Sequence, residues 1–507
     1  MIDLGTTFLS SVDRCPEAIA ITYQNKHLNY SNWLNKISSL AISFKKMGLK
    51  KGDKLITLLP NTFEACTIHW ACQLTGIVIV PINWRVKSEE IIFFLNNSNS
   101  KCIICDDYSE KEIQSSNLSN SIIKISTSSQ SSKYENFKSL INLKVIFDSS
   151  EAKYTDCSII LYTSGTTGKP KGVPRSHFAE RSSAIAHIAQ NRYERYEATL
   201  GVMPLYHTMG VRSLLSMTLV NGNFVAQPKY NPQEAIELIN QNKISSLYLV
   251  PTLYHDLINS PYFKKEKLLT CHKLGFAGAP MTDGLIKKIK KSFSASQLIN
   301  HYGSSEIYTF TIEPNALNKP GSAGKAGINQ NIRVVKINSK NINSKTKINE
   351  EGEIIAYIKN DEAFEGYLER PDADKSSIID DWYFTKDTGY YDENGDLFVT
   401  GRVDDMIITG GENIFPIEIE NVISLHPDVN EVVIVGLKDE KWGQKVTAFI
   451  KSNKKINFNE LDDFCKKSDL SNFKRPKSYV FIKEIPKSPT GKILRRKILA
   501  GEYELDN

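Results

Sequence analysis

The chain has 507 residues, 41% hydrophobic and 24% charged, with a formal net charge of +6. That length exceeds one ordinary core and implies two or three domains of soluble globular composition. The charge is too modest for a protein whose main business is a polyanion, the longest apolar run, Ile77 to Val80, is far too short to span a bilayer, and residues 1–14 show no signal-peptide apolar region.

In chain order, Lys54 to Leu59 reads as a strand, 62–75 as a helix and Gly76 to Val80 as a second buried strand. Such a β-α-β unit with apolar strands implies a parallel sheet covered on both faces. Cys102 and Cys105 sit in an apolar strand-like run with no second cysteine pair, so they read as core. The eight cysteines are scattered rather than patterned, which implies reduced thiols in a cytoplasmic setting. Residues 112–133 are rich in Ser, Asn and Lys and read as a surface excursion. Ser158 to Tyr162, Ser246 to Val250, Leu274 to Ala277 and Gln297 to Asn300 read as further buried strands, each followed by Gly, Pro or polar residues. Ligands of open α/β sheets bind beyond the carboxyl ends of the strands, so those following segments are where contacts belong. Residues 337–350 read as a polar hairpin tip, and Asn394-Gly395 as a tight turn. A boundary falls at 401–405, and the pattern beyond it (helix 417–425, strands 431–435 and 446–450, helix 459–467, strand 478–482) reads as a small α+β unit.

The densest local signal follows the 158–162 strand. Thr163, Ser164, Gly165, Thr166, Thr167, Gly168 and Lys169 offer hydroxyls, free backbone N–H groups and an ammonium to one small volume, as a polyphosphate requires. It is not a Walker loop: only two residues separate Gly165 from Gly168, and Pro170 follows the lysine and stops a phosphate-capping helix.

The segment 163–172 resembles the T-S-G-T-T-G-x-P-K-G signature of the adenylate-forming superfamily at every position. This superfamily comprises acyl- and aryl-CoA ligases, peptide-synthetase adenylation domains and luciferase. The resemblance extends over nearly the whole chain and is strongest to acyl- and aryl-CoA ligases of the 4-chlorobenzoate–CoA ligase kind. It implies a large α/β N-terminal domain (1–403) with parallel-rich sheets covered by helices, and a small mobile α+β C-terminal domain (404–507). It also implies two half-reactions, adenylation of a carboxylate by Mg-ATP and displacement of AMP by a thiol.

Site residues follow from the same resemblance. His301, Tyr302, Gly303, Ser304, Ser305 and Glu306 match the Y-G-x-[ST]-E region, which implies Tyr302 on adenine, Ser305 on the α-phosphate and Glu306 on Mg²⁺. The last is chemically apt, because Mg²⁺ takes one or two carboxylates together with phosphate and water. Gly278, Ala279 and Pro280 match the adenine-holding turn. Asp387 takes the ribose-binding aspartate position, with Lys386 where relatives often carry Gly. Arg402 would contact ribose, and Asp404 would be the hinge. Lys492, in a block resembling P-K-[ST]-x-x-G-K, would bridge the substrate carboxylate and the α-phosphate. Gly410 and Gly411 would line a pantetheine tunnel, and Trp442, Phe473 and Arg475 would hold the CoA nucleotide. His207, Thr208, Met209, Tyr248, Met281 and Gly303 would form an acyl pocket, mid-sized and largely apolar, with His207 near the carboxylate. Arg212 departs from the apolar helix face, and a local salt bridge and a polar group on the substrate both stand as readings. Ala184 replaces a bulky aromatic of the chlorobenzoate subgroup, which argues against a chlorinated benzoate.

Lys483, Lys487, Lys492, Arg495, Arg496 and Lys497 form a late basic cluster. Nucleic-acid binding lacks interleaved aromatics there. A solvated face is the ordinary reading, and a basic rim toward nucleotide phosphates fits the rest of the chain best. The sequence thus points to an ATP-, Mg²⁺- and CoA-using ligase for an aromatic or medium-chain acid, with no carrier domain before residue 507. A carrier-loading adenylating enzyme and a non-catalytic nucleotide-binding regulator are the alternatives. No nucleic-acid or membrane partner is expected, and a homodimer is an allowed assembly.

Overall fold

The computed structural model describes residues 1–128, 133–163, 170–452, 454, 456–487 and 493–506. Three sheets organise the described residues, and helices cover them.

The first β-α-β unit shows how local chemistry sets the fold. The Phe63–Thr75 helix starts where the Thr62 hydroxyl accepts from the Ala65 N–H, and it stops at Gly76, whose φ of 67° is left-handed. Both devices satisfy groups that a helix end leaves orphaned. The helix returns the chain so that Lys54–Leu58 and Val78–Pro81 lie parallel. Cys102–Cys105 joins them, and its two cysteines are free and buried, as core residues. The stretch 112–133 is more than an excursion: it completes the Asp107–Ser115 helix and supplies the strand Ile123–Ser126, parallel to Cys102–Cys105. Its Ile-Lys-Ile-Ser alternation is too short to stand out from the polar residues around it. This sheet ends in an antiparallel hairpin, Cys157–Thr163 with Lys171–Ser176, whose connection 164–169 lies outside the described residues.

In the second, larger sheet the strands Ser246–Leu249, Lys273–Ala277 and Gln297–Tyr302 run parallel. The sheet then turns antiparallel through Thr311–Glu313, Ser322–Ala326, Leu397–Arg402 and Trp382–Tyr391. The polar tip 337–350 connects the antiparallel strands Ile332–Val335 and Gly352–Tyr357, as the sequence pattern requires. The third sheet, built from residues 407–481, packs on the helices Pro416–Ser424 and Phe458–Lys466. It meets the rest of the molecule where Pro416–Ser424 lies against Asp283–Ser292. Gly284 permits that approach, because a Cβ there would sit 2.5 Å from the Ser424 carbonyl oxygen. Among the described residues no helix is long and apolar enough to cross a membrane.

Candidate active site

The hairpin stem carries the first part of the site. Thr163 and Lys171 face each other in register at the mouth of the hydroxyl-rich connection. The Lys171 ammonium lies over the Tyr367 ring, 3.9 Å from its centroid. The Tyr367 hydroxyl donates to Glu306 Oε1 at 2.6 Å and lies 3.2 Å from the Tyr383 hydroxyl. Burial lowers the Lys171 pKa, the Glu306 carboxylate opposes that shift, and Arg370 and Lys386 add to it. Glu306 is 5% exposed, so it is neither a helix cap nor a surface carboxylate. Its backbone is pinned by Arg175, whose Nη1 donates to the Ser305 and Glu306 carbonyls at 3.4 and 3.2 Å. Arg175 is itself neutralised by a fully buried ion pair with Glu180. Ser164, Gly165, Thr166, Thr167, Gly168, Lys169 and Lys492 lie outside the described residues.

Asp387 is the second centre. Its Oδ2 accepts from the Tyr302 hydroxyl at 2.7 Å, and its Oδ1 accepts from Arg402 Nη1 at 2.8 Å. The register makes this possible, because Asp387 and Arg402 are paired across neighbouring strands. Burial and then the Asp387 carboxylate hold the Tyr302 phenol well above its usual range. Lys386, just before Asp387, takes φ of 62°, the left-handed region that glycine favours. Its N–H is held by Glu353 Oε1 at 3.1 Å. Gly303 is required by packing: a Cβ there would lie 2.2 Å from the Tyr308 carbonyl oxygen. Gly278, with φ of 82°, opens the exposed turn through Ala279 and Pro280 after Lys273–Ala277. The Ser304 hydroxyl accepts from the Ile307 N–H at 3.3 Å.

His301 faces away from this group. Strand alternation turns its ring to the other side, where Nε2 lies 3.1 Å from Asn191 Oδ1 and the ring sits tilted against His187 and edge-on to Tyr248. It is buried there, on the side of the strand opposite Tyr302 and Asp387.

The residues expected to form an acyl pocket begin at the Thr208–Leu219 helix, which His207 precedes at the N-cap. Asn61 fixes the approach: its Nδ2 donates to the Gly201 and Met203 carbonyls at 2.9 and 2.7 Å, and its Oδ1 accepts from the Leu205 N–H at 3.1 Å. His207 and Thr208 are half-buried, whereas Met209, Tyr248 and Met281 are buried. Ala184 is buried beneath them. Arg212, Tyr248, His187, His301 and Thr309 bring polar groups into the buried surroundings of this helix. Of the two readings for Arg212, a local salt bridge is not found among the described residues, where its hydrogen-bond partners are the Thr309 and Tyr248 hydroxyls.

In the small unit, Gly410 and Gly411 form the turn between Ile407–Thr409 and Glu412–Ile414, with φ of 59° and 87°. The Gly410 N–H donates to the Trp442 carbonyl at 2.9 Å, and a Cβ on Gly410 would sit 3.1 Å from the Trp442 ring. Trp442 is 44% and Phe473 45% exposed, so Trp442 is not a core residue. Arg475 is paired with Asp462 at 2.9 Å. Asp404 is exposed in the middle of the short turn Val403–Asp405. The basic cluster is largely paired locally, Lys483 with Glu504, Lys487 with Glu431, Arg495 with Glu420 and Lys497 with Glu502. These four cations are therefore a self-neutralised face rather than a rim reserved for phosphates.

Tyr367, Arg175, Glu180, Asn61 and Glu362 belong to this region and escaped sequence reasoning. Tyr367, Asn61 and Glu362 are single polar residues whose partners lie far away in the chain, and the Arg175–Glu180 pair, though five residues apart, is tied to the site through carbonyls about 130 residues later. Only the placing of polar residues next to strand ends could have pointed to them.

A two-lobed α/β chain whose strand ends gather these groups matches a known family. Residues 8–368 match the AMP-binding enzyme family, and residues 418–492 match the AMP-binding enzyme C-terminal domain. The chain belongs to this family and is an AMP-forming acid–thiol ligase. It is 29% identical to 4-chlorobenzoate–CoA ligase of an Arthrobacter species, over 96% of this chain and 92% of that one. It is 30% identical to 2-succinylbenzoate–CoA ligase of Bacillus cytotoxicus, over 95% of both. The fold is shared with ATP-bound MatB from Rhodopseudomonas palustris, with a TM-score of 0.89, 24% identity and 99% of both chains covered.

Proposed function

We propose that the protein is an ATP-dependent carboxylic acid–CoA ligase acting through an acyl-adenylate, with compact aromatic or medium-chain acids as substrates. One observation carries the reading: the stem of the hydroxyl-rich connection, Thr163 and Lys171, is joined through Tyr367 to the buried carboxylate of Glu306. The Tyr302–Asp387–Arg402 group lies on the larger sheet, where Tyr302 is four residues before Glu306.

In the first half-reaction a carboxylate oxygen attacks the α-phosphorus of ATP, and the bond to the bridging oxygen breaks to release pyrophosphate. Two anions must meet, so charge neutralisation and alignment are the main catalytic needs. Lys171 and the 164–169 connection would hold the phosphates. Asp387 would accept the ribose hydroxyls, with Arg402 and Tyr302 fixing its orientation. Lys492 would bridge the two reacting anions, as a flexible ammonium can. Glu306 suits Mg²⁺, which binds readily through one carboxylate plus substrate phosphates. Bound there, the ion would supply charge neutralisation at the phosphates. In the second half-reaction the CoA sulfur attacks the acyl carbon, AMP leaves, and the thiol proton passes to solvent. A thiol with a pKa near 8.5 needs little activation. Gly410, Gly411 and Trp442 would flank its path, and residues beyond Asp404 would swing between the two steps. Free, mostly buried cysteines suit a reducing cytoplasm.

The test is a pyrophosphate-release screen over benzoates, cinnamates and C4–C12 acids, with and without CoA, with thioester products identified by mass spectrometry. Acid-dependent release with thioester formed only on CoA addition supports the reading. Acid-dependent release without any CoA thioester would shift the acceptor to a carrier protein.

A further inference from the structure

We propose that Arg212 reads a second hydrogen-bond-accepting group, best a carboxylate, at the far end of a compact acid substrate. This rests on the ligase reading above and names the class of acid that its pocket takes.

Position comes first. Thr208 and Arg212 are four residues apart in one helix and so share a face, separated by about 6 Å along the axis. Thr208 is half-buried beside His207, whereas Arg212 is 2% exposed. The guanidinium therefore lies one turn deeper than the pocket's rim. Tyr248, on the neighbouring strand Ser246–Leu249, accepts from Nη2, and Thr309 accepts from Nη1 at 2.5 Å.

Charge comes next. Arg212 makes no ion pair among the described residues, and its Nε has no hydrogen-bond partner. The contrast with Arg175 is instructive, because that equally buried guanidinium has Glu180 in contact. The acid whose field reaches Arg212 is Glu362, which forms no ion pair with it; Glu362 Oε1 accepts from Asn329 Nδ2 at 3.1 Å, and Oε2 has no hydrogen-bond partner among the described residues. Burial raises the Glu362 pKa, with Arg212 acting against the shift. The other neighbours bring no negative charge: His187 and His301 are held well below the usual imidazole range by burial and then by Arg212, and burial holds the Tyr308 phenol, whose ring centroid is 5.7 Å from the guanidinium, well above its usual range. A buried cation whose contacts are neutral is costly unless something anionic completes it. Guanidinium geometry favours a planar two-oxygen acceptor. An alkyl or unsubstituted aryl tail would instead end against a desolvated charge and keep its counterion out.

The experiment measures kcat/KM for pyrophosphate release with matched acids, hexanoate against adipate and benzoate against 3-carboxybenzoate. It compares the full-length wild type with Arg212→Met and Arg212→Lys, each checked by thermal melting. Wild type should prefer the carboxylated member of at least one pair by about 10²-fold or more, since a site built for a polar group rejects an analogue lacking it. Arg212→Met should erase or invert that ratio, and Arg212→Lys should retain part of it. A wild type that uses hexanoate and benzoate at least as well as their carboxylated partners overturns the proposal without any variant and leaves the ligase reading standing. A ratio unchanged in a folded Arg212→Met does the same. No release with any acid would overturn both.

Discussion

Replacing Asp387 by Asn tests the nucleotide site most sharply, because the change keeps shape and removes charge. The carboxylate accepts from Tyr302 and Arg402 at 2.7 and 2.8 Å, and under the proposed function it would also accept from the ribose hydroxyls. A hydrogen bond to a charged acceptor contributes about 1.5–3 kcal/mol. Two ribose hydroxyls would therefore contribute about 3–6 kcal/mol. The Asp387 side chain is partly open to solvent, so the lower end applies, and a loss of about 3 kcal/mol is about 10²-fold in affinity. Calorimetric titration should show ATP binding to Asp387→Asn weakened by that factor. Repeating the titration with 2′,3′-dideoxy-ATP removes the hydroxyls from the other side, and there wild type and variant should bind within about threefold. Equal losses for ATP and its dideoxy analogue would mean that Asp387 holds Tyr302 and Arg402 in place and never meets the ribose.

Lys492→Ala should lower acid-dependent pyrophosphate release by about 10²–10³-fold and largely spare thioester formation from preformed acyl-AMP. Equal losses in both steps would contradict an exchange of domain faces. Lys386→Gly should stabilise the large domain by about 0.5–1 kcal/mol, the relief of a left-handed non-glycine residue less the unfolded-state entropy that glycine adds. The urea midpoint reads this, and a lower midpoint refutes it. Glu351, facing Lys474 and Glu418 of the small unit, has its carboxyl pushed up to about 7, chiefly by burial. An acid with a raised pKa in one pose binds its proton more tightly there. This domain contact is therefore free of penalty below about pH 4.5, loses ground as pH rises toward 7, and is weakest above 7. Fluorescence energy transfer between labels on the two lobes should show the pose depopulating from pH 5.5 to 8, and Glu351→Gln should flatten that profile.

Strands that end at the site were legible because each is a short apolar run stopped by Gly, Pro or polar residues. The 246–249, 273–277 and 297–302 strands all show this, and all are parallel as expected. Motif residues were legible for a related reason: Tyr302 and Asp387 sit in dense local patterns, and the fold brings them to 2.7 Å across 85 residues. Partners without a local pattern stayed hidden. Nothing around Tyr367 announces that it touches a carboxylate 61 residues earlier, and nothing around Asn61 announces a backbone 140 residues later. His301 shows the opposite error. It lies in the motif, but a strand alternates its faces, so the residue before Tyr302 had to point to the other side of the sheet.

Asn61 also limits how this enzyme can change. One side-chain amide stitches the loop after the first sheet to the chain that enters the Thr208–Leu219 helix in the second. Parting these two segments would tear three buried hydrogen bonds at once. New substrate ranges must then come from exchanging side chains along the helix wall, on a frame that stays still.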